Sequence, residues 1–189
     1  MEFRKLKNKD QRAREHLLPN EVERLIAAAQ SMGRHSLRDS TLILLSFRHG
    51  LRVGEAVALT WDCVDFAGAS IYISRLKNGK PATHPLKRVE MQALKQLQTE
   101  YPDSRYVFSN ERGGKLTTSA VRKIVTRAGE IARIRNCHPH QLRHACGYFL
   151  ASKGFDTRAI QDYLGHRSIL HTVRYTELAP DRFKDFWQD

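Results

Sequence analysis

His140-Gln141-Leu142-Arg143, then Leu164-Gly165-His166 and Tyr175, is the stretch whose reading decides this chain. Histidine and arginine three apart share one face of a helix. An HxxR pair alone carries no weight. Its company does: a helix ended by glycine, a second histidine, and a tyrosine nine residues further on. Upstream stand Arg52, in Gly50-Leu51-Arg52-Val53-Gly54-Glu55, and Lys77, beside the turn dipeptide Asn78-Gly79. Two arginines, two histidines and a lysine can hold a phosphodiester, and the tyrosine can attack it.

A phosphodiester resists attack because its oxygens are negative and its leaving alkoxide is poor. Arginine answers the first difficulty, since its planar fork binds two oxygens and stays charged. Arg52 and Arg143, from distant segments, can clamp the non-bridging oxygens. A hairpin-borne ammonium, Lys77, can protonate the leaving 5′ oxygen. His140 can take the tyrosine proton while His166 holds a phosphate oxygen. Tyr175 is then the nucleophile of a covalent 3′-phosphotyrosyl link. Each residue taken singly has a plainer reading. Arg52 would be a surface arginine, Lys77 a solvated turn residue and His140 a backbone-bonded helix start. His166 would simply follow a cap, and Tyr175 would be a half-buried core residue. The joint order and spacing favour the catalytic reading.

Composition agrees with such a substrate. The 189 residues carry a formal net charge of +12, and the sequence pI is about 10.0. That balance fits a polyanion, nucleic acid before an acidic membrane surface. Cys63, Cys137 and Cys146 are odd in number and form no CxxC pair, which points to a reducing cytosol and away from a disulfide framework. The longest apolar run, Thr41 to Phe47, is too short to span a bilayer. The charged N-terminus is no secretory signal. The expectation is a cytoplasmic protein, nucleoid-associated in a bacterium, with no membrane partner. Cys137, His138, His140 and His144 resemble a metal cluster only superficially. No carboxylate stands between the histidines to act as base, so no metal site is expected. His144 and Cys146 read as packing residues of their helix.

Along the chain, residues 1–16 read as a basic arm, 17–179 as the catalytic domain and 180–189 as a short tail. Helices are expected from Pro19, with Asn20 and Glu23 as a capping box, and from Ser40 to His49, ended by a left-handed Gly50. Further helices are expected at 54–59, 89–99, 118–132, 140–153 and 157–164, with a last one carrying Tyr175. Asp156 is an N-cap candidate, and Gly154 and Gly165 are stops. Ser70 to Leu76 alternates as a strand. Asn78-Gly79 turns it, and Pro81 to Leu86 returns as an edge strand because of its prolines. The fold class is α+β, mainly helical, with a small antiparallel sheet. On the helix from Thr118, Val121, Ile124, Val125, Ala128 and Ile131 form a core stripe. Arg122, Lys123 and Arg127 lie off it, as a solvated face or a DNA-facing one. Arg75 and Lys80 flank the hairpin and could touch phosphates beside Lys77.

These motifs resemble the tyrosine recombinases, also called the phage integrase family. The carrying residues are Gly50-Leu51-Arg52-Val53-Gly54-Glu55, Lys77 eight residues before Pro85, His140-Gln-Leu-Arg143-His144, Leu164-Gly165-His166 and Tyr175-Thr176. The resemblance runs from about Leu17 to Thr176. It is nearest to the fimbrial phase-switch type in Tyr72-Ile-Ser-Arg-Leu-Lys77, Thr83-His-Pro-Leu86 and Asp156 to Arg167, with His171-Thr-Val beyond.

The resemblance implies the tyrosine recombinase catalytic-domain fold and the roles given above, with Glu55 supporting the turn of Arg52. It favours Lys77 over Lys80 as general acid and a DNA-facing helix from Thr118. It also implies staggered breaks, a Holliday-junction intermediate and a homotetramer on double-stranded DNA carrying inverted-repeat recombination sites, with the energy kept in the phosphotyrosyl bond so that no nucleotide or metal cofactor is expected. The free protein would be mostly monomeric, with accessory DNA-bending proteins as further partners. Inversion of a DNA segment is the expected reaction. Integration or excision of a mobile element, a type IB topoisomerase-like activity and a non-catalytic DNA-binding regulator are the alternatives. Most members carry a separate domain before the catalytic one, yet only 51 residues precede Arg52. A naturally short chain is the expectation and a catalytic fragment the alternative. Phe183, Phe186 and Trp187 in the tail would dock on a neighbouring subunit or fold back on their own.

Overall fold

The computed structural model describes residues 15–76 and 79–177. The expected arm (apart from Glu15 and His16), the expected tail, Lys77 and the turn residue Asn78 lie outside the described residues.

Pro19 opens α1 (Pro19–Gln30), where its missing N–H costs nothing. The N-terminal lock is not the expected Asn20–Glu23 pair. Leu18 is the cap, and its N–H donates to Glu21 Oε2 at 2.8 Å, two residues earlier. Val22, Leu25, Ala28 and Ala29 are buried, and Ile26 is half-buried against them. α2 (Ser36–Arg48) starts four residues before the expected Ser40. The reason is a buried ion pair at its start. Arg38 bonds Asp39 Oδ1 at 2.7 Å and the Ser109 carbonyl at 2.9 Å. Paired charges can be buried, and apolar periodicity does not register them.

Gly50 follows α2 at φ +56°. A Cβ there would lie 2.3 Å from Leu164 Cδ2, so the position needs glycine for its space as well as its backbone. α3 (Val53–Ala58) comes next. A single 3-10 turn (Trp61–Cys63) then leads into β1 (Val64–Asp65), a two-residue strand too short for alternation to reveal.

β2 (Ser70–Ile73) lies between β1 and β3 (Ala82–Pro85) in an antiparallel sheet of order β1-β2-β3, with Ile71 opposite His84. β3 is an edge, as its prolines require. The expected strand to Leu76 stops at Ile73. Beyond it, the Leu76 N–H donates to Glu55 Oε1 at 3.2 Å instead of to a neighbouring strand.

The remaining helices are α4 (Arg88–Glu100), α5 (Thr118–Ile131), α6 (Pro139–Ser152), α7 (Thr157–Leu164) and α8 (Leu170–Glu177). Asp156 caps α7 by accepting from the N–H groups of Arg158 and Ala159. Gly165 ends it at φ +63°. α1 packs on α2 and α5, α2 on α4 and α6, and α8 on α6 and α7. The large core lies among α1, α2, α4, α5 and the sheet. A smaller one, holding Cys146, Ala151, Ile160, Leu164 and Tyr175, sits where α6, α7 and α8 meet. The chain is mainly helical with a small antiparallel sheet. Among the described residues no helix is long and apolar enough to cross a membrane.

Candidate active site

Glu55 is the centre of one side of the site. It sits in the first turn of α3, and its carboxylate accepts four hydrogen bonds: from the Arg52 N–H (2.9 Å), Arg52 Nη1 (2.6 Å), Arg75 Nη1 (2.9 Å) and the Leu76 N–H (3.2 Å). Arg143 Nη1 lies 3.9 Å from it. Burial alone would raise this carboxyl. The Arg52 N–H and the charges of Arg75, Arg52 and Arg143 outweigh burial and hold it below the usual carboxylate range. Three guanidiniums around one carboxylate leave an excess of positive charge.

Arg143 is only 2 % exposed. α6 carries it inward from a start fixed by Pro139 and by the His138 N–H, which donates to Gln141 Oε1 at 3.0 Å. Its Nη1 donates to the Gly50 carbonyl and its Nη2 to the Leu164 carbonyl at 2.8 Å. Burial, with Arg52 and Arg75 nearby, brings its pKa down to about 10, so it is still cationic at neutral pH.

Arg75 overturns an expectation. Its place beside the hairpin suggests contact with DNA phosphates, but its side chain is completely buried. Its Nη2 donates to the carbonyls of His49 (3.0 Å) and Tyr163 (2.6 Å), and its Nη1 to Gly50 (3.3 Å) as well as Glu55. A side chain in that position cannot reach a duplex. It ties the end of α2 to the end of α7. Gly165 makes room for it, since a Cβ there would lie 2.6 Å from Arg75 Cγ.

The other side of the site is built on α8. Tyr175 is 1 % exposed. Its ring lies on the α6 backbone at Gly147, where a Cβ would come within 2.5 Å of Cε2. Tyr148 meets it edge-on at 5.0 Å, and His166 stacks beside it at 6.2 Å. Burial, only partly countered by Arg143, pushes its hydroxyl up to about 12. His166 is buried, and its Nδ1 is hydrogen-bonded to Thr172 Oγ1 at 2.8 Å. Gln161 Nε2 donates to the His166 carbonyl at 3.1 Å. Burial first, then Arg143 and Arg52, bring His166 down to about 3, so it is neutral at physiological pH.

The Tyr175 hydroxyl is hydrogen-bonded to His144 Nδ1 at 2.9 Å. His144 was read as a packing residue. Its one sequence signal is its place four residues after His140, on the same helical face. His140 is exposed, and its ring meets His144 edge-on at 4.4 Å. Thr172 and Gln161 also went unnoticed, because their partners are fixed only by folding.

The site residues thus fall into two linked groups. Arg52, Glu55 and Arg143 form the first. His140, His144, Tyr175 and His166 form the second, beside Arg143. Lys77 lies outside the described residues. Lys80 has a side chain 77 % exposed, 3.8 Å from Asp162 Oδ1. Arg122, Lys123 and Arg127 are exposed on α5. Among the described residues no three His, Cys, Asp or Glu side chains converge as metal ligands would. The arrangement offers fixed guanidiniums for an anion with a protonated phenol and neutral imidazoles alongside, which suits attack on a phosphodiester.

Comparison with known proteins points the same way. Residues 15–182 match the family described as phage integrase. The type 1 fimbriae regulatory protein FimB of Escherichia coli K12 is 43% identical over 189 residues, covering 96% of this chain and 94% of that one. FimE of the same strain is 41% identical, covering 93% and 91%. Among solved structures, the XerA recombinase superposes with a TM-score of 0.77 at 28% identity, over 90% of this chain and 63% of that one. With its helical fold, its buried arginines and its tyrosine on the penultimate histidine's flank, the chain belongs to the phage integrase family, the site-specific tyrosine recombinases.

Proposed function

We propose that this enzyme cleaves and rejoins double-stranded DNA through a 3′-phosphotyrosine on Tyr175 and inverts the segment between inverted-repeat sites. The observation that carries the reading is the seat of Tyr175: its hydroxyl on His144 and its ring beside His166, next to the Arg143–Glu55–Arg52 network. Arg52 and Arg143 bind the non-bridging oxygens and stabilise the charge that develops on them. His166 is neutral, with its Nδ1 engaged by Thr172, so its Nε2 is left to hydrogen-bond a phosphate oxygen. The tyrosine proton leaves towards the pair formed by His140 and His144. Lys77 protonates the 5′ leaving oxygen. Glu55 fixes the two arginines. Lys80 and the exposed face of Arg122, Lys123 and Arg127 contact phosphates and position the duplex.

Inversion follows the two fimbrial relatives, whose length this chain nearly matches. Residues 17–179 act as the catalytic unit. Four copies assemble on DNA, the free chain is mostly monomeric, and DNA-bending proteins assist. The work is done in the cytoplasm, on the nucleoid.

Tyr175→Phe should fold and bind DNA but form no covalent adduct with a nicked suicide duplex. Adduct at the wild-type yield removes Tyr175 as nucleophile. Plasmids carrying the sites as inverted or as direct repeats decide the outcome: inversion of the first without deletion from the second supports the proposal, and efficient deletion favours excision.

A further inference from the structure

The expected route for the tyrosine proton ran to His140. The Tyr175 hydroxyl instead lies on His144 Nδ1 at 2.9 Å. We propose that His144 is the immediate proton acceptor for Tyr175 in strand cleavage and the donor that returns the proton in rejoining. This rests on Tyr175 being the nucleophile.

Reach comes first in identifying a general base. α6 supplies both the seat and the acceptor, because Gly147 under the ring is three residues from His144 and on the same face. The ring of His144 is held between the edge of His140 at 4.4 Å and the ring of Tyr175 at 5.9 Å.

The protonation states fit. Burial keeps the phenol protonated, with a pKa of about 12. Burial first, then the charges of His140, Arg143, His138 and His16, bring His144 down to about 4. A protonated phenol facing a neutral imidazole donates to it, so His144 keeps its own proton on Nε2. The groups facing His144 come from several elements: Tyr175 from α8, His140 and Arg143 from α6, His138 from its cap, and His16 from the segment before α1. A phosphodiester held by Arg143 cancels part of that guanidinium's repulsion, so His144 becomes a better base once DNA is bound.

The step balances. Tyr175 Oη attacks phosphorus, and the Oη–P bond forms as the P–O5′ bond breaks. The phenolic proton passes to His144 Nδ1, leaving an imidazolium. The 5′ oxygen takes a proton from the general acid, the role given to Lys77. In rejoining, the 5′ hydroxyl attacks, the P–Oη bond breaks, and His144 returns its proton to the tyrosine oxygen.

The test is single-turnover adduct formation by the full chain on a nicked suicide duplex. His144→Ala should slow it about a hundredfold, within the usual range for a lost general base. His144→Asn retains an acceptor atom near Nδ1 but cannot take a proton, and should show a similar loss. Replacing Tyr175 with a fluorinated tyrosine, whose phenol is more acidic, lessens the need for a base. It should shrink the loss in either His144 variant to below about tenfold. Adduct at the wild-type rate in both variants overturns the proposal. So does an unchanged loss with the fluorinated tyrosine, which would make His144 a packing residue. If His144→Ala unfolds, His144→Asn decides by the same two measures. Adduct formed by Tyr175→Phe would instead remove the nucleophile, a failure distinct from that of His144.

Discussion

On one wall of the site Arg52, Arg75 and Arg143 crowd a single carboxylate, that of Glu55. On the other, Tyr175, His144 and His166 are neutral at pH 7. Arg143 and His144 are consecutive residues of α6, so a single residue step, about 100° around the helix, divides the two walls. The buried arginines of that wall have several partners each, because buried charge demands them: Glu55 and three backbone carbonyls hold Arg75, and Glu55 with two more contacts holds Arg143. On the histidine wall the side chains are joined by neutral hydrogen bonds, Tyr175 to His144 and His166 to Thr172. Charge is fixed on the wall proposed to hold a phosphate, and the wall proposed to move a proton carries none at rest.

The sharpest way to break this comparison is Arg75→Ala. Removing one partner of a buried, hydrogen-bonded pair should cost about 3–5 kcal/mol of stability, measured by urea unfolding. Where the variant still folds, the salt slope of DNA binding should match the wild type, since Arg75 touches no phosphate. Lys80→Ala and Arg122→Ala, at exposed positions, should each lower that slope by about one. A lowered slope for Arg75→Ala would return it to the DNA surface.

Acid tests the neutral wall. His166 is held at about 3, and so is His84, which stacks on Tyr163 at 3.8 Å behind the same site. Both are buried. The unfolded chain binds these protons near pH 6.5 and the folded chain only near 3. Stability is therefore complete above pH 6.5 and falls as pH drops through that window. The slope is at most about 1.4 kcal/mol per pH unit for each histidine. Glu55 and Glu90, whose pKa values are lowered, add to the loss in the same direction at the acid end. Urea unfolding at pH 7, 6 and 5 measures it, and a flat result would mean that these histidines are charged in the fold.

The smallest effect is expected from Thr172→Val, which deletes the partner of His166 Nδ1 without emptying the space. It should cost about 1 kcal/mol and slow adduct formation by roughly tenfold, the rate equivalent of about 1.4 kcal/mol. An unchanged rate would mean that His166 is oriented by packing alone.

Much of the fold could be read from punctuation: Pro19 at a first turn, Asp156 at a cap, Gly50 and Gly165 in left-handed stops. Each acts through its own backbone, so a local reading finds it. β1 escaped because two residues have no period. The start of α2 escaped because Arg38 and Asp39 look like surface residues until they are paired. The site divides the same way. Arg52, His140, Arg143, His166 and Tyr175 stand out by order and spacing, and contacts through Glu55 and His144 link them into one cluster. Arg75 was misjudged because an arginine beside a hairpin gives no sign of the carbonyls that will enclose it. His144 was passed over because its partner comes from a helix thirty-one residues away.

The carbonyl of Gly50, which takes both Arg75 and Arg143, has a further consequence. It belongs to the C-terminal end of α2, where the Arg48 and His49 carbonyls also point outward, to the Tyr163 hydroxyl and to Arg75. The aligned peptide dipoles of such a helix place about half a negative elementary charge at this end. α2 therefore acts as a backbone counter-ion for the guanidiniums, and no side-chain substitution in the pocket can remove it. A change that frayed the last turn of α2 would raise the site's positive potential and loosen both arginines, without altering a single residue proposed to meet DNA.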